Sequence, residues 1–174
     1  MTIPINKIKD FEGHPFHVTM DEDMAKLIDS IKENDMLMPA LVRPKPDGTY
    51  EMISGHRRKF AMSQLGRIEM NVIIRDLDDD QATILMVDSN IQRENIYPSE
   101  RGYAYKMRLE AMKHQGKSVK EFHGDVGTVY DKSTSCQVGT KLRSDVALAD
   151  TTEFSARQIQ RFIRLTYLIE PLQE

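Results

Sequence analysis

Ile53-Ser54-Gly55-His56-Arg57-Arg58-Lys59-Phe60-Ala61-Met62-Ser63-Gln64-Leu65-Gly66 decides the fold. An apolar strand end meets a glycine, and three adjacent cations then open an amphipathic helix that closes at Gly66. The first N–H groups of a helix have no intrahelical partners and carry the positive end of the macrodipole. A phosphate can sit there. Gly55 lets the backbone approach closely, Ser54 or His56 can donate a hydrogen bond, and Arg57 and Arg58 offer guanidinium forks. The bland alternative is a solvated basic helix start.

Working outward toward the N-terminus, Tyr50 to Ile53 is the returning strand of a hairpin. Its turn is Lys45-Pro46-Asp47-Gly48 and its partner strand is Ala40-Leu41-Val42-Arg43. Upstream, Met24, Leu27, Ile28 and Ile31 fall at i, i+3, i+4 and i+7, a one-sided helix ending near Asn34 with Thr19 as the expected N-cap. Residues 3 to 11 read as a short edge strand in which Pro4 is tolerated.

Toward the C-terminus, Met70 to Ile74 reads as a strand and Asp78 to Gln92 as a helix with Ala82, Leu85 and Met86 on one side. Ser99 is expected to cap a helix carrying Tyr103, Met107, Leu109 and Met112. Periodicity then dissolves from Gly116 to Gly139, read as a loop or irregular linker. Ser144 caps a short helix, and after a break Ser155 caps another with Ile159, Phe162, Ile163 and Thr166 on one face.

The fold class is therefore α+β, a small mixed-sheet domain over residues 1–95 followed by an all-helical domain over 96–174. The 174 residues are 40% hydrophobic and 29% charged, the composition of an ordinary globular protein. No basic-then-apolar leader opens the chain and no run reaches membrane-spanning length, so a cytoplasmic protein is expected. The net charge of −3 excludes a uniformly basic polyanion binder, so any such binding must be local. Cys136 has no partner for an internal disulfide and is expected to be a free thiol. His14, His17, His114 and His123 lack metal-ligand spacing and are expected at the surface.

Two segments can carry chemistry besides the opening stretch. Asn90-Ile91-Gln92-Arg93-Glu94-Asn95 could bring Asn90 and Arg93 to a bound phosphate or its metal if it folds back over the helix start; otherwise it is a polar helix end. The pair of helices over 145–166 has the proportions of a helix-turn-helix. Its second helix sets an apolar back against a front of Arg157, Gln158, Gln160, Arg161 and Arg164. Arg and Gln can contact guanine and adenine edges, and Arg also grips phosphate. The alternative is a solvated face of a helical bundle.

In order, Leu27 to Ile31, Pro39 to Pro44, Gly55 to Ala61 and Ser89 to Asn95 resemble the boxes of the ParB/Spo0J partition family. The run Ser155 to Thr166 looks like the recognition helix of ParB-like proteins on Gram-positive mobile elements. The resemblance implies a ParB/sulfiredoxin-like N-terminal domain binding CTP with magnesium, and a helix-turn-helix domain binding a palindromic, centromere-like duplex. It further implies a homodimeric clamp, a ParA-like ATPase partner, nucleoid association and a C-terminal dimerisation domain.

Carried onto this chain, the nucleotide residues are Ser54, Gly55, His56, Arg57, Arg58, Asn90, Gln92 and Arg93, with Asn90 on the magnesium side. Ser155, Arg157, Gln158, Gln160, Arg161 and Arg164 would face DNA. His56 stands where the family has Glu after the glycine, and Ser89 where a Glu implicated in hydrolysis precedes the Asn. These departures weigh against turnover and leave at most a weak CTPase. The family's Gln-Pro-Arg is replaced around Pro15-Phe16-His17, and the usual turn glycine of the helix-turn-helix by Glu153. Rival readings are a nucleotide-independent repressor and a ParB-like enzyme, kinase or nuclease. Sulfiredoxin chemistry itself is disfavoured, because Gly55 fills the reactive cysteine's place.

Overall fold

The structure, a computed structural model, describes residues 1–93, 96–114 and 144–169. The expected linker from Gly116 to Gly139, Cys136, His123, Glu94 and Asn95 lie outside these.

Five strands form one mixed sheet: β1 (Thr2–Pro4), β2 (Ile8–Lys9), β3 (Ala40–Pro44), β4 (Tyr50–Ser54) and β5 (Glu69–Ile74), in the order β1-β5-β3-β4-β2. The pairs β1/β5 and β3/β4 are antiparallel, while β3/β5 and β2/β4 are parallel. The single edge strand expected over residues 3 to 11 is thus two strands on opposite edges. Flat, those edges would lie about 19 Å apart, yet the chain from Pro4 to Ile8 reaches at most about 14 Å. The sheet must therefore curl. A one-turn 3₁₀ helix at Ile5–Lys7 makes the link, held by Ile5 N–H donating to Ile68 O at 2.9 Å.

Alternation on β3 and β4 assigns the two faces. Val42 and Met52 join a core with Met24 and Ile31 of α1 (Glu22–Asn34) and Ala61 and Met62 of α2 (His56–Gln64). Leu41 and Ile53 face the other way, onto Ala82, Met86 and Val87 of α3 (Asp79–Ile91). The hairpin register sets Arg43 opposite Glu51. Both are buried, at 6% and 5% exposure, and Arg43 Nε donates to Glu51 Oε2 at 2.6 Å. Arg43 Nη1 also reaches Asp79 at 2.7 Å, tying the sheet to the start of α3.

The helix caps correct two expectations and extend a third. Asp21, not Thr19, caps α1, its carboxylate accepting from Met24 N–H at 2.7 Å; Thr19 sits two residues too early. Asp78 and Gln81 form a capping box on α3. The next helix, α4 (Pro98–His114), starts at Pro98, so Ser99 lies inside its first turn and does not cap it. Proline suits that first position, where no N–H partner exists. Tyr97 N–H instead donates to Glu100 Oε2 at 3.2 Å.

Of the expected Tyr103, Met107, Leu109 and Met112, Leu109 is buried and Met107 packs against a core, while Ala104, Tyr105, Arg108 and Ala111 are buried besides, because α4 packs on two sides. Ala104 meets the α3 core. Tyr105 and Leu109 meet Leu148 of α5 (Ser144–Ala149) and Ile159 and Ile163 of α6 (Ala156–Ile169). At the α4/α6 crossing a Cβ on Gly102 would lie 2.3 Å from Phe162 O, so only glycine lets the two backbones approach this closely. Phe154 stands edge-on to Phe162 at 5.4 Å, with the Arg101 guanidinium 4.9 Å from the Phe154 ring. No helix among the described residues is long and apolar enough to cross a membrane.

Candidate functional site: a cationic helix start and an exposed basic helix

Gly55 is the N-cap of α2 at φ +113°, and a Cβ there would come within 2.8 Å of Ala40 Cβ. The position is strained for any L side chain and crowded besides. No side chain caps α2 and no acid lies in its first turn, which carries His56, Arg57, Arg58 and Lys59. Its N–H groups and dipole therefore face three cations and no acid within the helix itself.

These cations take different tasks. Arg58 Nη1 donates to the carbonyls of Met38 and, at 2.9 Å, of Pro39, fastening the approach to β3. Lys59 Nζ donates to Ile8 O at 2.8 Å and pairs with Asp10 at 2.7 Å, holding the β2 edge. Arg57 reaches Asp21, the α1 cap, at 3.3 Å. The Arg57 guanidinium also acts on Arg93: burial and the nearby Arg57 charge both lower the Arg93 pKa, against Glu100 and Asp21. Arg57 and Arg93, 36 apart in sequence, are thus two half-buried guanidiniums whose charges act on each other. Mutual repulsion between them falls when an anion lies between.

Of the described histidines expected at the surface, His14 departs from that place. His14 is half-buried and stacked on His56, ring centroids 3.8 Å apart. His56 is 8% exposed, and burial, then the neighbouring His14, hold its pKa down to about 3. Burial lowers His14 as well. Neither ring nitrogen of His56 and not Nε2 of His14 has a hydrogen-bond partner among the described residues. His17 does present an exposed ring, but its N–H and Nδ1 both bond Glu100 Oε1, at 2.8 and 2.7 Å. His114 is exposed beside Asp80.

Sequence reasoning missed Glu100, which is buried and joins the 11–21 loop to the start of α4. Its signal was its place three residues after Tyr97, the N3 position of a capping box.

Of the remaining residues, Ser54 ends β4, Asn90 lies in the last turn of α3, and Gln92 is its C-cap. Asn90 Nδ2 donates to Met86 O at 2.8 Å, and Ser89 Oγ to the same carbonyl at 2.9 Å. Asn90 Oδ1 is then its group suited to a cation. Among the described residues no group of three or more His, Cys, Asp or Glu could hold a metal. The amide oxygen of Asn90 is of the hard oxygen type that magnesium accepts.

The second surface is α6. Arg157, Gln158, Arg161 and Arg164 are exposed and Gln160 half-exposed, while Ile159, Ile163 and Thr166 are buried behind them. Arg157, Gln160, Arg161 and Arg164 line one shallow depression. Gln158 is partly committed: its Oε1 accepts from Ser155 N–H at 3.0 Å and from Ser155 Oγ at 2.9 Å, closing the helix start. Glu153 needs no left-handed backbone, since the only described non-glycine residue with positive φ is Asp35. Threonine hydroxyls close the turn instead, Thr151 Oγ1 donating to Leu148 O at 2.9 Å and Thr152 Oγ1 accepting from Phe154 N–H at 3.4 Å.

The family model described as the ParB N-terminal domain matches residues 1–91. The probable chromosome 1-partitioning protein ParB of Deinococcus radiodurans is 38% identical over 109 residues, 63% of this chain and 38% of that protein. The chromosome-partitioning protein Spo0J of Thermus thermophilus is 36% identical over 108 residues, 62% and 40% of the two chains. The chain thus matches about two fifths of the length of these relatives. Among solved structures, the C-terminally truncated ParB of Caulobacter crescentus complexed to its centromeric parS site superposes with a TM-score of 0.59 at 23% identity. The match covers 99% of this chain and 75% of that one, a likeness of fold.

Proposed function

The chain belongs to the ParB N-terminal domain family, and from that premise we propose that it is a site-specific DNA-binding protein of the partition type whose N-terminal domain is gated by CTP with magnesium. The observation that carries the nucleotide half is the uncapped, acid-free start of α2 with Arg57, Arg58 and Lys59 in its first turn. In this reading the α2 N–H groups, Gly55 and Ser54 cradle the phosphates, the Arg57 and Arg93 guanidiniums bracket them, and His56, Arg58 and Gln92 complete the wall. Asn90 turns its oxygen to the magnesium that the phosphates bring. Such a metal neutralises phosphate charge and fixes its geometry.

The DNA half rests on α6. Arg157, Arg161 and Arg164 would meet phosphates and guanine edges, Gln158 and Gln160 adenine edges, and Ser155 the backbone near the helix start. Residues 1–95 then serve as the nucleotide domain and 96–174 as the DNA domain. A palindromic site implies a homodimer, and closure of the two copies would form the clamp, in the cytoplasm on the nucleoid and with a ParA-like ATPase as partner. Turnover is outside the proposal: Ser89 is a hydroxyl bonded to Met86 O, not a carboxylate base. The mobile-element affiliation rests on Ser155 to Thr166 alone.

Calorimetric titration with CTP, ATP and GTP in magnesium tests the reading. Binding of CTP in preference to the others, lost in Arg57→Ala and in Arg93→Ala, is the expected result. A folded chain that binds no nucleotide but retains sequence-specific duplex binding would make it a nucleotide-independent repressor. Cleavage of duplex or phosphorylation of a small acceptor would make it an enzyme.

A further inference from the structure

Arg108, in the middle of α4, is 8% exposed and touches both halves of the molecule. Its Nε lies 2.7 Å from Asp88 Oδ1, an ion-pair contact off the line of the N–H, and Nη2 donates to Asp88 Oδ2 at 3.3 Å. Nη1 donates to Thr151 Oγ1 at 3.3 Å and lies 3.8 Å from Met112 Sδ. Asp88 is in α3, immediately before Ser89 and Asn90. Thr151 follows α5 and its hydroxyl holds the last turn of that helix through Leu148 O, opening the connection into α6.

A guanidinium taken out of water needs its donors answered, so losing either partner carries a desolvation cost. Its planar fork also fixes the direction of both partners at once, which an ammonium cannot do. A displacement of the last turn of α3 must therefore either move the α5–α6 connection or break a part-buried bond.

We propose that Arg108 is the positioning residue that couples the α3 end of the nucleotide site to the α6 helix, through Asp88 on one side and Thr151 on the other. The inference rests on the reading of the two surfaces as nucleotide and DNA sites. Arg108 touches neither ligand. Its work is to make their binding interdependent, and linkage requires the dependence to be equal in both directions.

The test uses the whole 174-residue chain with CTP and magnesium, and a labelled duplex that the wild-type chain enriches from a random library. The dissociation constant for CTP is measured with and without saturating duplex, and the reciprocal constant for duplex with and without CTP. The wild-type chain is expected to show a coupling factor of about fivefold or more. Arg108→Lys and Thr151→Val should each bind CTP alone and duplex alone within about threefold of wild type, with the coupling factor reduced to about one. Thr151→Ser, which keeps the hydroxyl, should keep the coupling.

Wild-type coupling in both Arg108→Lys and Thr151→Val would overturn the inference. So would a loss of duplex binding alone in Thr151→Val, which would mark a purely structural role. A wild-type chain that binds both ligands without coupling overturns the inference and leaves the functional reading standing. One that binds neither ligand overturns both.

Discussion

The start of α2 and the face of α6 are both cationic, yet they are built in opposite ways. At α2 three adjacent charges are already engaged by partners from separate segments: Arg58 with two carbonyls, Lys59 with Ile8 O and Asp10, Arg57 with Asp21 and against Arg93. The α6 charges come from a single helix and stand in solvent over an apolar back. A site assembled by folding gains directional, partly desolvated contacts and loses them if any contributing segment shifts. A site on one helix depends only on that helix being docked.

The difference can be broken most severely at the α4/α6 crossing. In Gly102→Ala the new Cβ would stand 2.3 Å from Phe162 O, a backbone atom that no rotamer change relieves. Alanine's gain in helix propensity is about 1 kcal/mol, and overpacking of this kind costs about 1–3 kcal/mol or more, so destabilisation wins. Duplex binding should be lost while nucleotide binding survives, checked by denaturant unfolding beside both titrations.

Gly55→Ala is the converse break. The φ of +113° costs about 1–3 kcal/mol for an L residue and the Ala40 contact adds to it. Nucleotide binding should disappear with α6 still docked and still binding duplex, read by calorimetry and by fluorescence anisotropy.

The buried imidazole gives a smaller effect that varies with pH. His56 titrates at about 3 in the folded chain against an ordinary 6.5, so the unfolded chain takes up the proton first. The stability it contributes is fully present above pH 6.5 and is lost as pH falls toward 3, at no more than about 1.4 kcal/mol per unit. Urea unfolding between pH 7 and 4 should show this slope, reduced in His56→Gln. A bound polyanion would offset it by favouring the protonated ring.

The mildest change belongs to α6. Arg161→Ala should weaken duplex binding by about tenfold and lower the salt dependence by about one phosphate contact. Nucleotide affinity should not move. Titration at several salt concentrations reads both.

Local rules were enough for much of this architecture. The i, i+3, i+4, i+7 pattern gave α1, the Asp78/Gln81 pair opened α3, and Gly66 stands at φ +68° just past α2. What escaped depended on distant partners. Residues 2–9 could not be seen as two opposite edges without knowing that the sheet curls. His14 looked like a surface residue because its stacking partner is 42 positions away. Arg43 and Glu51 were within reach, since the Lys45-Pro46-Asp47-Gly48 turn fixes the register that sets them opposite. Arg108 was not, because one helix period does not describe a helix buried on two sides. At the candidate site, the α2 residues were legible as one motif, whereas the approach of Arg93 was only one of two readings of a polar helix end.

The most direct measurement is a double-mutant cycle on CTP affinity with Arg57→Lys and Arg93→Lys, singly and together, in magnesium. If both guanidiniums grip one bound polyanion, the losses will be non-additive by about 1 kcal/mol or more. Losses that add within about 0.5 kcal/mol, or affinity indifferent to both substitutions, would contradict the account.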